Sequence, residues 1–458
     1  MSDSPRRLSR EAGDGRPAAP VRIAHLGLGN FFRAHQAWYT EHAPDAADWG
    51  IAAFCGRSAT LAEQLAPQGG LYTLLVRADD GDRPEVISSV VAVHPADDLD
   101  SWLGYARSPE LAVITLTVTE AGYRRGPGGD IDLADAQVAA DRDAIVAGRL
   151  ADVVTAPGKL LVAMIARRDA GLGPLTVLSC DNLPDNGHVA AQVTRSLATA
   201  AGGDLASLVD EHSFATSMVD RITPRTTDDE IEAVRRSTGL DDAAPVVTEP
   251  FVEWVVAGDF PAGRPAWDAT FVPDVEPFEQ RKLWLLNGSH TLMAYAASAR
   301  GHEVVSEAIA DPVVRSWVEQ WWDEAARHLR VPASDVEAYR AALVERYENR
   351  QIRHLLAQIA SDGSQKIPVR ILPVLRAERA AGRDGRGAAR AVAAWVRHLQ
   401  GHGAPVNDAG AAAYAAAVND TTTNDAVRGV LDQLDPQLAG DPQLVRLAAE
   451  LVEGLAAS

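Results

Sequence analysis

Val21-Arg-Ile-Ala-His-Leu-Gly27-Leu-Gly29-Asn-Phe-Phe-Arg33-Ala-His35 is the stretch whose reading decides the fold. A short apolar run ends in a Gly-x-Gly, and a helix-compatible segment follows. That order of strand, tight turn and helix opens a dinucleotide-binding βαβ unit. The glycines let the backbone turn sharply and approach a pyrophosphate, which the next helix N-terminus stabilises. Gly27, Gly29, Asn30, Phe31 and Arg33 are therefore candidate cofactor contacts. The third glycine of the usual pattern is missing, because Phe32 takes its place.

Further along, strand-like runs alternate with helical ones. Trp49 to Cys55 reads as the second strand. It ends in Cys55-Gly-Arg57-Ser58, without the carboxylate that commonly binds the ribose hydroxyls of NAD. Arg57 there suits either a 2′-phosphate, as in NADP, or a plain solvent-facing loop. Leu71–Arg77 and Val86–His94 read as strands joined by the turn-rich segment 78–84. Leu111–Val118 is a β-branched buried strand, followed by Thr119-Glu120-Ala-Gly-Tyr123, and a helical pair spans about 132–148 and 153–170. Leu175–Leu178 ends in Ser179-Cys-Asp181-Asn182, where helix capping and ligand contact are both open readings. After Pro277 the strand signals stop, and alanine-, leucine- and arginine-rich sequence with a 3.6-residue period takes over. The expected architecture is α/β: a disordered tail over 1–20, a Rossmann-like NAD(P)-binding domain over 21–277, and an all-α domain over 278–458.

Composition narrows the function classes. The 458 residues carry 63 acidic and 43 basic side chains, a formal charge of −20. That argues against a nucleic-acid backbone or an anionic membrane as partner. No run of 18 apolar residues exists to span a bilayer. Two cysteines, Cys55 and Cys180, fit a reducing compartment and no disulfide framework, so a cytoplasmic location is expected. Phosphate-loop, zinc-protease and nucleophile-elbow motifs are absent, and the twelve histidines show no ligand spacing, so no metal site is expected.

Of the 43 basic residues only three are lysines: Lys159, Lys282 and Lys366. A lysine that persists in so arginine-rich a chain is a candidate for work arginine cannot do, since a partly buried lysine can act as a base. Lys282 opens Lys282-Leu-Trp-Leu-Leu-Asn287-Gly-Ser-His290. On an α-helix at about 100° per residue, Asn287 lies roughly 140° and His290 roughly 80° from Lys282, with about 12 Å of axial rise to His290. One broad face can hold all three. An amphipathic core helix with a polar rim fits the same spacing, which leaves both readings open. Hydride transfer without a metal needs a base for the alcohol proton and neutral donors for the developing alkoxide, and these are the residue types for it.

Taken in order, several motifs resemble one family. They are Gly27-Leu-Gly29-Asn-Phe-Phe-Arg33-Ala-His-Gln36, Thr117-Val-Thr-Glu120-Ala-Gly-Tyr123, Ser179-Cys-Asp-Asn182, Met218-Val219-Asp220-Arg221 and Lys282-x4-Asn287-Gly-Ser-His290. The set is similar to the polyol-specific long-chain dehydrogenases, which include mannitol 2-dehydrogenases and fructuronate reductases. The resemblance implies a metal-independent oxidoreductase, monomeric or weakly associated, that uses NAD, with NADP possible. Its substrate would be a small polyol or sugar acid. It assigns Lys282 as general base and Asn287 and His290 as polarisers of the substrate oxygen. Glu120 is tied to proton passage, and Asn182, Val219 and Asp220 lie near substrate. Lys366 and Arg370, in Asp362-Gly-Ser-Gln-Lys366-Ile-Pro-Val-Arg370, fall where the family places basic substrate contacts. Two departures stand out: Phe32 replaces a frequent histidine, and the Cys55–Ser58 segment lacks an acidic cofactor determinant.

The leading expectation is interconversion of a sugar alcohol, such as mannitol or arabinitol, and a ketose. A hexuronate reductase making mannonate or altronate is the nearest enzymatic alternative. A catalytically inactive dinucleotide-binding protein is the alternative from another class.

Overall fold

The computed structural model describes residues 5–419 and 421–457. The chain divides into two compact units, Met1–Glu276 and Pro277–Ser458, one residue before the boundary expected from periodicity.

The first unit is built on an eight-stranded sheet. Its strands are β1 (Val21–Leu28), β2 (Gly50–Cys55), β3 (Val90–His94), β4 (Val113–Leu116), β5 (Thr176–Ser179), β6 (Ser213–Asp220), β7 (Glu253–Ala257) and β8 (Thr270–Phe271). Their spatial order is β8-β7-β6-β5-β4-β1-β2-β3. The six strands β3-β2-β1-β4-β5-β6 are parallel and follow the doubly wound order, with the chain reversing direction of growth between β1 and β4. β7 adds antiparallel to β6.

Side-chain alternation explains why both faces are covered. In β2, Ile51, Ala53 and Cys55 pack into one apolar cluster, and Ala52 and Phe54 into the other. Each strand is apolar on both faces because helices bury both, so its sequence reads as continuous rather than alternating. The helix Ala156–Asp169 buries Leu160, Leu161, Val162 and Met164 and supplies much of one layer. The strand expected over Val86–His94 is corrected: Tyr72–Ala78 pairs with Gly81–Ile87, which takes in most of the stretch read as a turn, and Val246–Thr248 joins them in a separate three-stranded sheet, whereas Val90–His94 is β3 of the main sheet.

The expected disordered tail is corrected for residues 5–20; residues 1–4 lie outside the described residues. Arg6–Arg7 pairs in parallel with Leu240–Asp241, and Leu8 is fully buried. Arg10 donates to the carbonyls of Gly69, Ser88 and Val90, each at 2.9 Å. A polar segment is thus held by guanidinium hydrogen bonds, an attachment that a hydrophobicity reading does not register.

The second unit is helical. Long helices at Pro312–Ala326, Ala333–Glu348 and Arg386–Leu399 surround the central helix Ser289–Ala296, all eight of whose residues are buried. Among the described residues its sole strand-like feature is a bridge between Val304 and Leu355.

Candidate active site

In the first unit, the glycine turn works by close approach. Gly27 has φ +111°, and a Cβ there would stand 2.1 Å from the carbonyl oxygen of Thr117. Only glycine lets β1 and the exit of β4 come this close. Thr117 Oγ1 donates to the Gly27 carbonyl at 2.8 Å, and His25 is held at both ring nitrogens by Thr115 and Thr117 hydroxyls, at 2.8 and 3.0 Å. Complete burial pushes the His25 imidazole down to about 3. Phe32 stacks on that ring with centroids 3.6 Å apart. The departure from the third glycine is therefore filled by an aromatic pair.

The helix after the turn is interrupted. It runs Asn30–Ala34, breaks at His35, and resumes as Gln36–Glu41. Arg33 is buried, and its guanidinium donates to the carbonyls of Gly29 and Ala244 and to Asn30 Oδ1. Arg33 thus braces the turn from beneath, with three of its five N–H donors bonded within the protein. Gly29, Asn30 and Phe31 are half-buried beside it.

A cleft of about 450 Å³ opens at the carboxyl ends of β1, β2 and β4, where an open α/β sheet binds its ligand. Gly27, Gly56, Arg57, Ser58, Thr119 and Lys159 are among its lining residues. A Cβ at Gly56 would meet no atom within 4 Å, so the backbone at the end of β2 faces open space. The cleft suits a dinucleotide in position and size. Along the same sheet edge stand Glu120, exposed after β4, Asn182, exposed after β5, and Val219 and Asp220, buried at the end of β6.

Asp181, where capping was one open reading, caps nothing. Its carboxylate accepts the Val118 amide and the Tyr123 hydroxyl, tying the Glu120 segment to β5. Burial pushes its acid up to about 7, against those two hydrogen bonds. Asn186 knits the next junction, donating to the carbonyls of Asp181 and Ser217 at 2.9 and 2.8 Å.

In the second unit, Lys282–Gly288 is a π-helix running into the α-helix Ser289–Ala296. This corrects the α-helical wheel. A π-turn takes more than four residues, so Asn287, five positions after Lys282, returns close to the same azimuth. The wide turn is held from outside. The indoles of Trp321 and Trp322 donate to the carbonyls of Trp284 and Leu285 at 2.8 and 2.9 Å, and Tyr347 Oη donates to that of Leu286 at 3.3 Å. Thr291 Oγ1 donates to the Asn287 carbonyl at 2.9 Å.

His290 is buried, and its Nε2 has no hydrogen-bond partner among the described residues. Burial, then His354, Arg346 and Arg370, hold its imidazole well below its usual range, so it is neutral. His354 meets it edge-on at 4.9 Å and Tyr347 lies 5.0 Å away. Arg370 reaches the neighbouring Thr291 hydroxyl at 3.2 Å, whereas Lys366 donates to the Ile359 carbonyl at 3.1 Å. The structure therefore gathers His290 and Arg370, with Asn287 one turn away. His354, Arg346 and Tyr347 were not singled out from sequence; they lie at a helix end and in an irregular segment without a spacing signal. Among the described residues no group of three or more His, Cys, Asp or Glu stands together as a metal site.

A doubly wound dinucleotide-binding unit followed by a helical unit carrying a lysine, an amide and a buried imidazole on one π-to-α helical run fits a class of nicotinamide-dependent oxidoreductases. The mannitol dehydrogenase Rossmann domain model matches residues 21–269, and the mannitol dehydrogenase C-terminal domain model matches residues 274–456. The chain belongs to the mannitol dehydrogenase family. It is 38% identical to D-mannonate oxidoreductase of Escherichia coli over 394 residues, covering 83% of this chain and 80% of that one. It is 36% identical to mannitol 2-dehydrogenase of Cereibacter sphaeroides over 408 residues, 86% and 84% of the two chains. The mannitol 2-dehydrogenase of Pseudomonas fluorescens, solved as a ternary complex with NAD and D-mannitol, superposes with TM-score 0.78 at 31% identity, covering 99% and 94%.

Proposed function

We propose that the protein oxidises a secondary hydroxyl of an open-chain polyol to a ketone with NAD, and runs the reverse reduction. The observation that carries this reading is the buried, neutral His290 with an unpartnered Nε2, on the helix that continues the π-turn of Lys282 and Asn287. The bound dinucleotide supplies the hydride acceptor at nicotinamide C4. As the carbinol hydride leaves, the Lys282 amine accepts the hydroxyl proton and the C–O bond becomes a carbonyl. Asn287 Nδ2 and a protonated ring nitrogen of neutral His290 donate to the developing oxyanion. Glu120, exposed after β4, serves in proton passage to solvent. Asn182, Val219 and Asp220 contact the substrate chain.

A second reading, oxidation of a sugar acid such as mannonate or altronate, is favoured by Arg346 and Arg370, both near enough to depress His290. A carboxylate is their natural partner. A screen at 340 nm with mannitol, arabinitol, sorbitol, mannonate and altronate separates the two. Turnover of the polyols supports the first reading. Turnover confined to the acids replaces it with the second, and no turnover on any of the five removes both.

A further inference from the structure

His290 is flanked in the chain by two buried hydroxyls, Ser289 and Thr291, and each donates to a carbonyl of the π-turn four residues back. Ser289 Oγ reaches the Leu285 carbonyl at 2.5 Å, and Thr291 Oγ1 reaches the Asn287 carbonyl at 2.9 Å. Bonding of this kind is ordinary for a helical serine or threonine. What differs is the group that holds each hydroxyl from outside. Ser289 meets a neutral one, the Tyr347 hydroxyl, at 2.7 Å. Thr291 meets a cation, accepting from Arg370 Nη1 at 3.2 Å.

A hydroxyl has one hydrogen and two lone pairs, and a guanidinium can only donate. Arg370 therefore takes a lone pair of Thr291 Oγ1 and leaves the hydrogen to the Asn287 carbonyl. One oxygen fastens two groups, the backbone of Asn287 and the side chain of Arg370. The guanidinium makes no other hydrogen bond and no ion pair among the described residues, so four of its five donors are unspent. It is half-buried, and its charge acts on the His290 imidazole.

The far end of its helix, Gly363–Arg370, is pinned. Asp408 accepts the amide and the hydroxyl of Ser364, each at 2.6 Å, and the Asp362 amide donates to the Asn407 carbonyl at 3.0 Å. A Cβ at Gly363 would stand 2.3 Å from Trp395 Nε1 and 2.4 Å from Tyr295 Oη, so the helix start lies flush on two buried rings. Arg370 is the last residue of this fixed helix, and the Thr291 hydroxyl is what receives it.

We propose that Thr291 is a positioning residue, whose hydroxyl sets the Arg370 guanidinium beside His290 so that its unspent donors meet a substrate oxygen. The inference rests on the reading of Asn287 and His290 as the reacting site. Thr291 acts through Arg370, and the contact it directs is charge-assisted, whether the oxygen belongs to a hydroxyl or a carboxylate.

Steady-state constants are measured on the full chain at saturating NAD, with whichever of the five compounds above the wild type turns over fastest. Thr291→Val keeps the volume and removes the hydroxyl. It should raise KM about tenfold and leave kcat within about threefold, and Thr291→Ser should restore KM. Arg370→Ala should raise KM at least as much, and adding Thr291→Val to it should change KM by less than about twofold. A fault in helix packing would instead add its own loss to that of Arg370→Ala. Thr291→Ala takes the place of the valine variant if that one does not fold. A wild-type KM in Thr291→Val or in Arg370→Ala overturns the proposal. So do losses that add in the double variant, and a serine variant no better than the valine. A wild type inactive on all five compounds removes the reading of the reacting site and the proposal with it.

Discussion

The hydroxyl of Tyr123 donates to the carboxylate of Asp181, and this contact, with the Val118 amide, fastens the Glu120 segment to the end of β5. Burial raises the Asp181 acid to about 7, above the 3.8 of an unperturbed aspartate. The folded state therefore holds the proton more tightly than the unfolded chain. The stability this gives is complete below about pH 3.8 and is lost as pH rises through about 7. Calorimetry is expected to show the melting temperature of the first unit falling between pH 5 and 8, with Asp181→Asn flattening that fall. An unchanged slope in the variant means that Asp181 is ionised in the fold at neutral pH.

His290 and His354 run the other way. Burial comes first for both; Arg346 then holds His354 down at about 4, and His354, Arg346 and Arg370 hold His290 well below its usual range. Each depressed imidazole favours the fold fully above the unfolded value near 6.5, and the contribution is lost as pH falls through the folded value. The second unit should lose stability from pH 6.5 to 4, and His354→Gln should remove part of that loss. Urea melts at pH 7 and pH 4.5 measure it. Equal sensitivity in wild type and variant would show that other groups carry the acid transition.

Gly288 lies flat against Trp321, and a Cβ there would come within 2.6 Å of its ring. The same indole donates to Trp284 in the π-turn, so it cannot retreat without releasing that carbonyl. Gly288→Ala is expected to cost about 1–3 kcal/mol by overpacking. Trp321→Phe, which keeps an aromatic ring but loses the donor and part of the buried volume, should cost at least about 1 kcal/mol. Denaturant midpoints at constant m-value decide the matter, and a neutral Gly288→Ala would mean that the turn is not pinned by this ring.

These contacts mark the limit of what the residues disclose by themselves. The strand-turn-helix at Gly27, the buried strands at Val113 and Thr176 and the shift to helices after Pro277 follow from local patterns, so periodicity and glycine placement reveal them. The π-turn does not, because Trp321, Trp322 and Tyr347 stabilise it from more than thirty residues away. An α-helical wheel therefore misplaces Asn287 relative to Lys282. The bracing role of Arg33 is hidden for a similar reason, because the Ala244 carbonyl that takes one of its donors lies far along the chain. The residues 5–20 look disordered because a short strand pairing, one buried leucine and hydrogen bonds from Arg10 hold them, without an apolar run.

Lys282 is the residue on which the proposed chemistry turns. It opens the π-helix that carries Asn287 and runs directly into the helix of His290, the sole one of the three lysines on that run. Lys282→Ala should lower kcat by about 10²–10⁴, the usual worth of a positioned general base. Tryptophan quenching by the dinucleotide should persist, because the cleft lined by Gly27, Gly56 and Arg57 is untouched. Small primary amines added to the variant should recover part of the rate by taking the alcohol proton themselves. Turnover near that of the wild type would remove Lys282 from the mechanism. Loss of turnover that no amine relieves, with the melting temperature also lowered, would make it a structural residue of the π-turn instead.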